Sequence, residues 1–259
     1  MMHDGRLLIT GAAGRLGTAV RNGLAGKWRR MRLTDVRPID DPQPGAEVML
    51  CDLRDPDAVA RLVDGVDAIV HFAGYPREAP WEQILASNVT PATLLWEAAR
   101  AAGVARIVFA SSNHAVGWNR REDASDPRFR ARPDSRYGVG HAFTEIMAGM
   151  YADKFGLAGF AMRVGSMCPE PTDARMLATW LSAADLVRLT EVGLNAEYTF
   201  EIVYGISRNR LAWWDNARAY ELGYAPADSA DAWIDTLSSR TLGDARADAL
   251  QGGVYVVSD

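Results

Sequence analysis

Near the start of the chain, Leu8-Ile9-Thr10 runs directly into Gly11-Ala12-Ala13-Gly14-Arg15-Leu16-Gly17, and an amphipathic stretch from Leu16 to Leu24 follows. A short apolar strand, a turn with glycine at every third position and then a helix has few uses. The first glycine permits a tight turn, the second lets backbone lie against a pyrophosphate, and the third lets the helix pack closely on the strand. The helix N-terminus adds unpaired N–H groups and the positive end of its dipole. Glycines at this spacing alone would be loop punctuation. With a strand before and a helix after, they read as a dinucleotide site built from Gly11, Ala13, Gly14, Arg15, Leu16 and Gly17.

The same alternation continues downstream. Leu7–Thr10, Met31–Asp35, Ala68–Phe72, Arg106–Ala110 and Phe160–Val164 are short aliphatic runs suited to strands buried on both faces. Between them Leu16–Leu24, Pro56–Leu62, Trp81–Ala102 and Tyr137–Phe155 have helical patterning. Asp55-Pro56 supplies an N-cap and an N1 proline, and Gly103 a C-terminal stop. Alternation of this kind implies right-handed crossovers and an α/β, Rossmann-type doubly wound parallel sheet. Beyond Cys168 the pattern is less regular, with mixed helices, a strand near Phe200–Tyr204 and the pair Trp213-Trp214. At 259 residues the expectation is one dinucleotide-binding domain over 1–259, in which residues from about 166 to 259 form a small C-terminal substrate-binding subdomain. The polar loop from Trp118 to Ser135 is expected to cover the site or the surface.

Composition removes other classes. A net charge of −5 and a pI near 5.5 argue against nucleic acid as a partner. No apolar run approaches the roughly 20 residues of a membrane helix. Leu7, Leu8 and Ile9 are too few for a secretory leader. Cys51 and Cys168 form no disulfide framework, and no cluster has metal-ligand spacing. A reduced, cytoplasmic setting is expected.

Asp35 closes the second strand, where a carboxylate accepts hydrogen bonds from the adenosine ribose and repels a 2′-phosphate; NAD is therefore expected over NADP, despite Arg37 nearby. Asp52 and Leu53 lie just before the helix at Pro56–Leu62, after a further short strand, the third, that follows Met31–Asp35, where such folds contact the adenine. Ala73 and Gly74 end the fourth with small residues that let backbone lie on the cofactor, and His71 reads as a packed strand histidine. Ser112 ends the fifth strand at the carboxyl edge of the sheet, and Tyr137 opens the next long helix. A serine hydroxyl and a tyrosinate beside a nicotinamide suit hydride transfer at an alcohol, provided a positive charge lowers the phenol from its ordinary pKa near 10.

Through TGAAGRLG (10–17), CDL (51–53), HFAG (71–74), SSNHAVG (111–117) and the tyrosine helix, the chain resembles the extended short-chain dehydrogenase/reductase family, also described as NAD-dependent epimerases/dehydratases. That family carries Tyr-x-x-x-Lys, whose lysine also contacts the nicotinamide ribose. Here the sequence is Tyr137-Gly138-Val139-Gly140-His141. The resemblance places Tyr137 and His141 at both the catalytic and the cofactor position. Two readings stay open: an imidazole, charged or neutral, supports a modified site, or catalysis is lost and an NAD(H)-binding protein remains. The retention of both Ser112 and Tyr137 favours activity.

Within the family, FASSNHAVG (109–117), RVGSMCPEPTDARMLATWLS (163–182) and LAWWDN (211–216) resemble bacterial uronate dehydrogenases, compact members that oxidise C1 of galacturonate or glucuronate to the aldarolactone with NAD. The resemblance implies a small carboxylated sugar as substrate. It implies that Ser112, Asn113, His114 and Ser166 hydrogen-bond its hydroxyls and that Arg175 clamps its carboxylate. The tail Gln251-Gly252-Gly253-Val254-Tyr255 resembles one that reaches a neighbouring subunit, which implies a homo-oligomer. Tyr75-Pro76-Arg77 departs from the pattern, replacing a small residue and a serine, so the pocket is expected to be reshaped. Trp213-Trp214 is expected to pack the C-terminal part on the sheet rather than stack a sugar, and Asp185, Glu191 and Glu201 receive no role. An epimerase or dehydratase acting on a small sugar is the other enzyme that this first half would serve.

Overall fold

The computed structural model describes residues 3–123 and 130–258. The aliphatic runs become strands because each can be covered on both faces. They are β1 (His3–Thr10), β2 (Trp28–Thr34), β4 (Ala68–His71), β5 (Arg106–Ser112) and β6 (Ala158–Val164), while the exposed β3 (Glu47–Val48) between β2 and β4 in the chain is a two-residue edge strand outside those runs. A two-stranded pair, β7 (Ser166–Met167) and β8 (Trp180–Leu181), precedes β9 (Phe200–Gly205). Seven of these form one sheet in the order β3-β2-β1-β4-β5-β6-β9, every neighbouring pair parallel. The strand expected near Phe200–Tyr204 is thus the outer strand of the main sheet. The order reverses between β1 and β4, and at such a switch point the carboxyl ends of the strands leave a crevice.

The helices lie on the two faces. α1 (Arg15–Gly23) packs on one, and α2 (Pro56–Val63), α3 (Trp81–Ile84), α4 (Thr90–Ala101) and α5 (Arg136–Phe155) on the other. α6 (Met176–Thr179), α7 (Ala183–Asn195) and α8 (Ala217–Glu221) follow, with α7 joining α1 on the first face. Alternate strand residues feed the two apolar layers. Leu7 and Ile9 meet Val20, Leu186 and Leu189, while Leu8 and Ile69 meet Leu62, Leu95 and Trp96.

The segment expected as one helix from Trp81 to Ala102 follows a continuous helical path but widens to a π turn at Leu85–Val89. Pro91 has no N–H to offer the carbonyl four residues back, which loosens the ladder at that point. The Asn88 side chain within the turn both donates to the Tyr75 carbonyl and accepts from the Tyr75 N–H, each at 3.1 Å.

Trp214 stacks on Tyr204 at 4.6 Å and donates its indole N–H to Gln251 Oε1 at 2.9 Å, so the tryptophan pair is packing, as expected. Of the loop from Trp118 to Ser135, residues 124–129 lie outside the described residues. Its described flanks are tied back by Trp118 N–H to Arg132 O and Arg132 N–H to Ala115 O. Among the described residues no helix is long and apolar enough to cross a membrane.

Candidate active site

A cleft of about 960 Å³ opens along the carboxyl edge of the sheet at the switch point. Gly11, Gly14, Arg15, Leu16 and Gly17 form one wall, and Asp35, Asp52 and Leu53 one end. Ala73 and Gly74 line the opposite wall, and Tyr137 stands at the far end. The glycines are required by contact: a Cβ on Gly17 would lie 2.1 Å from the Gly11 carbonyl oxygen, and one on Gly11 2.6 Å from the Phe72 carbonyl carbon. Gly14, the N-cap of α1, brings no side-chain cap, which leaves the first-turn N–H groups available to a ligand in the cleft.

Asp35 is buried and accepts from the N–H groups of Ala13 and Arg37, each at 3.0 Å, so it braces the glycine turn while facing the cleft. Asp52 is gripped by Arg54, with Nη2–Oδ2 at 2.6 Å and Nε–Oδ1 at 3.0 Å, and that hydrogen bonding holds its carboxyl below the ordinary range. The residues present fit a dinucleotide: a glycine cradle, an uncapped helix end and a carboxylate at the ribose end.

Ser112 leaves β5 with its Oγ accepting the His114 N–H at 3.2 Å, and it lies close enough to the Tyr137 hydroxyl to pull that group's pKa down. Tyr137 is fixed by the first turn of α5. Ser135 caps that turn by accepting from Gly138 N–H at 3.0 Å, and Glu78 accepts from Tyr137 N–H at 2.8 Å and from Arg136 at 2.6 Å. Burial pushes the Tyr137 hydroxyl up to about 12; Ser112 pulls the other way, and Tyr255 and Asp134 add to the rise.

His141 lies one turn on, its ring 4.5 Å from that of Tyr137. Its pKa is lowered to about 3, chiefly by burial and then by nearby His114 and His71, with a backbone hydrogen bond at Ala110 opposing in part. Burial thus favours the neutral ring at pH 7. Its Nε2 is buried without a partner. It is not one of the residues lining the cleft. His71 is the packed histidine expected: Thr10 Oγ1 lies 2.8 Å from its Nδ1, Trp96 meets it edge-on, and burial lowers its pKa to about 4.

Asn113, His114, Ser166 and Arg175 gather beyond Tyr137, under the C-terminal tail. Arg175 is buried rather than a surface helix residue. Its Nε and Nη2 donate to Gln251 O at 2.9 and 2.7 Å, and Nη1 reaches Ser166 Oγ at 3.4 Å. With its amide oriented to satisfy both neighbours, Asn113 accepts from Arg175 Nη2 at 2.7 Å and donates to Val164 O at 3.1 Å. Ser166 Oγ also lies 2.8 Å from Thr179 Oγ1. Among the described residues no carboxylate pairs with Arg175, and burial lowers its pKa to about 10, leaving a charged guanidinium with only neutral acceptors. Such a cation is matched by an anionic ligand.

Three acidic residues escaped the sequence. Asp134 accepts from His114 Nδ1 at 2.8 Å, with no exposure of its side chain. Glu78 anchors α5 from 59 residues away. Glu145 forms a buried ion pair with Arg163 at 2.7 Å and takes the Ser111 hydroxyl at 2.6 Å, stiffening the end of β5 from below. Only Glu145 left a signal: it follows Tyr137 and His141 at the next helical interval of four.

A family model described as the NAD dependent epimerase/dehydratase family matches residues 7–204. The chain is similar to a uronate dehydrogenase of Pseudomonas putida, 46% identical over 87% of this chain and 85% of that protein. It is 44% identical to a uronate dehydrogenase of Agrobacterium fabrum, over 97% of this chain and 96% of that one. Among solved structures, a mutant uronate dehydrogenase from Agrobacterium tumefaciens complexed with NAD superposes with a TM-score of 0.92 at 43% identity, covering 98% of each chain.

Proposed function

The chain belongs to the NAD dependent epimerase/dehydratase family, and on that premise we propose that it oxidises a hexuronate such as galacturonate or glucuronate at C1, giving the aldarolactone, with NAD as cofactor. The observation that carries this reading is the buried, carboxylate-free guanidinium of Arg175 set beyond the neighbouring hydroxyls of Ser112 and Tyr137. An acid function on the sugar is what such a cation matches. The uronate dehydrogenases named above support the same substrate class.

When bound, NAD supplies the hydride acceptor. The glycine turn and the first turn of α1 hold its pyrophosphate, Asp35 the adenosine ribose, and Asp52 with Leu53 the adenine side. Tyr137 Oη, in its tyrosinate fraction, would take the proton of the C1 hydroxyl as the C1 hydride leaves for the cofactor, and Ser112 Oγ would hydrogen-bond the same oxygen and orient it. Asn113, His114 and Ser166 hold ring hydroxyls, and Arg175 pairs with the carboxylate, so residues from about 166 onward supply the substrate side. Pro76 removes a donor from the opposite wall, which narrows the hydroxyl pattern that is read.

A second reading, NAD(H) binding without turnover, draws on one observation: His141 brings no charge to lower Tyr137. The two readings separate on the carboxylate. We expect the wild type to form NADH from a hexuronate with a kcat/KM at least about a hundredfold above that for the corresponding neutral hexose, and Arg175→Gln to erase most of that preference through KM. Equal use of both sugars by the wild type contradicts the carboxylate assignment, and turnover of neither favours the binding protein.

A further inference from the structure

We infer that Asp134 fixes the tautomer of His114 and so makes the site demand a hydrogen-bond-donating hydroxyl on the carbon next to the reacting one; the inference rests on the dehydrogenase reading above. Asp134 lies at the meeting of three distant segments. A Cβ on Gly117, after the turn that follows β5, or on Gly252, in the C-terminal tail, would lie 1.8 Å from its Oδ2. The carboxylate fits only because both positions lack side chains. Gly252 N–H donates to Gly117 O at 2.9 Å and closes the enclosure. Inside it, Oδ1 accepts the Ser135 hydroxyl at 2.7 Å and Oδ2 lies 2.8 Å from His114 Nδ1.

An ionised carboxylate can only accept, so the proton between Asp134 and His114 sits on Nδ1. Burial outweighs the pull of Asp134 and lowers the pKa of His114, which keeps the ring neutral. Its Nε2 therefore carries a lone pair and no proton, and among the described residues it has no hydrogen-bond partner. The ring cannot turn to offer anything else. Tyr255 stacks on it at 3.9 Å, Tyr137 meets it at 5.9 Å between centroids, and its own main-chain N–H is spent on Ser112 Oγ. Ser112 and Tyr137 hold the reacting oxygen on C1. Of the two ring atoms bonded to that carbon, the ring oxygen has no proton to give, so the group that satisfies a bare Nε2 beside them is the hydroxyl on C2. A hydroxyl there donates to Nε2. A hydrogen or a fluorine there leaves a desolvated acceptor unmade, which costs about 1–3 kcal/mol and so roughly ten- to a hundredfold in kcat/KM.

Asp134 is accordingly a positioning residue, and its test has two independent readouts. The first is the ¹⁵N spectrum of His114 at neutral pH, assigned by comparison with His114→Gln. The expected wild-type state is a protonated Nδ1 and a bare Nε2. The second is the ratio of kcat/KM for a hexuronate to that for its 2-deoxy-2-fluoro counterpart, compared between wild type and Asp134→Ala. Taking the ratio between proteins cancels the intrinsic reactivity of the two sugars. The variant should move His114 toward the Nε2–H tautomer and lower the ratio roughly tenfold or more. A wild-type ring protonated on Nε2 overturns the inference without any variant, and so does an unchanged ratio in a folded Asp134→Ala. A protein that turns over neither sugar while holding the Nδ1–H tautomer sinks the dehydrogenase reading, and the hydroxyl requirement with it.

Discussion

Burial pushes the Tyr137 hydroxyl up to about 12 and holds the neighbouring His141 imidazole down to about 3, so at neutral pH a protonated phenol faces an uncharged ring. A base with a raised pKa is scarce at neutral pH and gains population with every unit of alkalinity. The rate of NADH formation should therefore climb from about pH 7 to about pH 10, with no inflection from His141. His141→Lys places a cation one turn from Tyr137, lowers the phenol and should raise the neutral-pH rate about tenfold for each unit of that lowering, with NAD affinity held within a few fold. A lysine variant that is slower than the parent would show that the neutral imidazole has a role of its own. At this scale the sequence was legible where a motif was local. Ser112, Tyr137 and the exchange of lysine for His141 stand in two short runs. Asp134 and Glu78 were not legible, because their partners lie 20 and 59 residues away and a lone acidic residue in a polar loop has no periodicity to betray it.

The strand–turn–helix β1–α1 is the element on which the proposed cofactor site rests, and its third glycine is the tightest contact in it. With only 2.1 Å between a Cβ at Gly17 and the Gly11 carbonyl oxygen, Gly17→Ala must push α1 off the turn. We expect a loss of about 1–3 kcal/mol in urea unfolding and an NAD affinity reduced at least tenfold. An alanine variant that binds NAD like the parent would place the pyrophosphate elsewhere. The same element was the most readable part of the chain, since hydrophobic period, glycine spacing and dipole all agree there. The helix from Trp81 was less so. Its apolar spacing carries through Leu85–Val89, and only Pro91 and the Asn88 grip on Tyr75 mark the widened turn.

Across the whole molecule, three imidazoles are kept neutral inside the fold by burial: His71 near 4, His141 near 3 and His114, lowered despite Asp134, against an ordinary 6.5. Between about pH 6.5 and about pH 4 the unfolded chain takes up protons that the folded one refuses, so stability is full above this window and is lost as pH falls through it. The slope is about 1.4 kcal/mol per pH unit for each ring. The urea midpoint should fall on acidification from about pH 6.5 to about pH 5, and His141→Phe should flatten that fall by roughly a third to a half; a flat wild-type profile would show the rings to be solvated. The sheet topology was legible from runs buried on both faces. The course of 206–258 was not, because single hydrogen bonds such as Arg175 to Gln251 and Trp214 to Gln251 hold it rather than a repeating apolar face. That tail nonetheless closes over the candidate site, with Tyr255 against His114 and Gln251 against Arg175. The most direct test of the account is NADH formation from NAD with galacturonate and glucuronate, scanned from about pH 6 to about pH 10 with NAD binding verified in the same sample. The account predicts turnover of at least one of the two acids, increasing with pH and lost in Tyr137→Phe by roughly a thousandfold. Firm NAD binding with no NADH from either acid at any pH would contradict it.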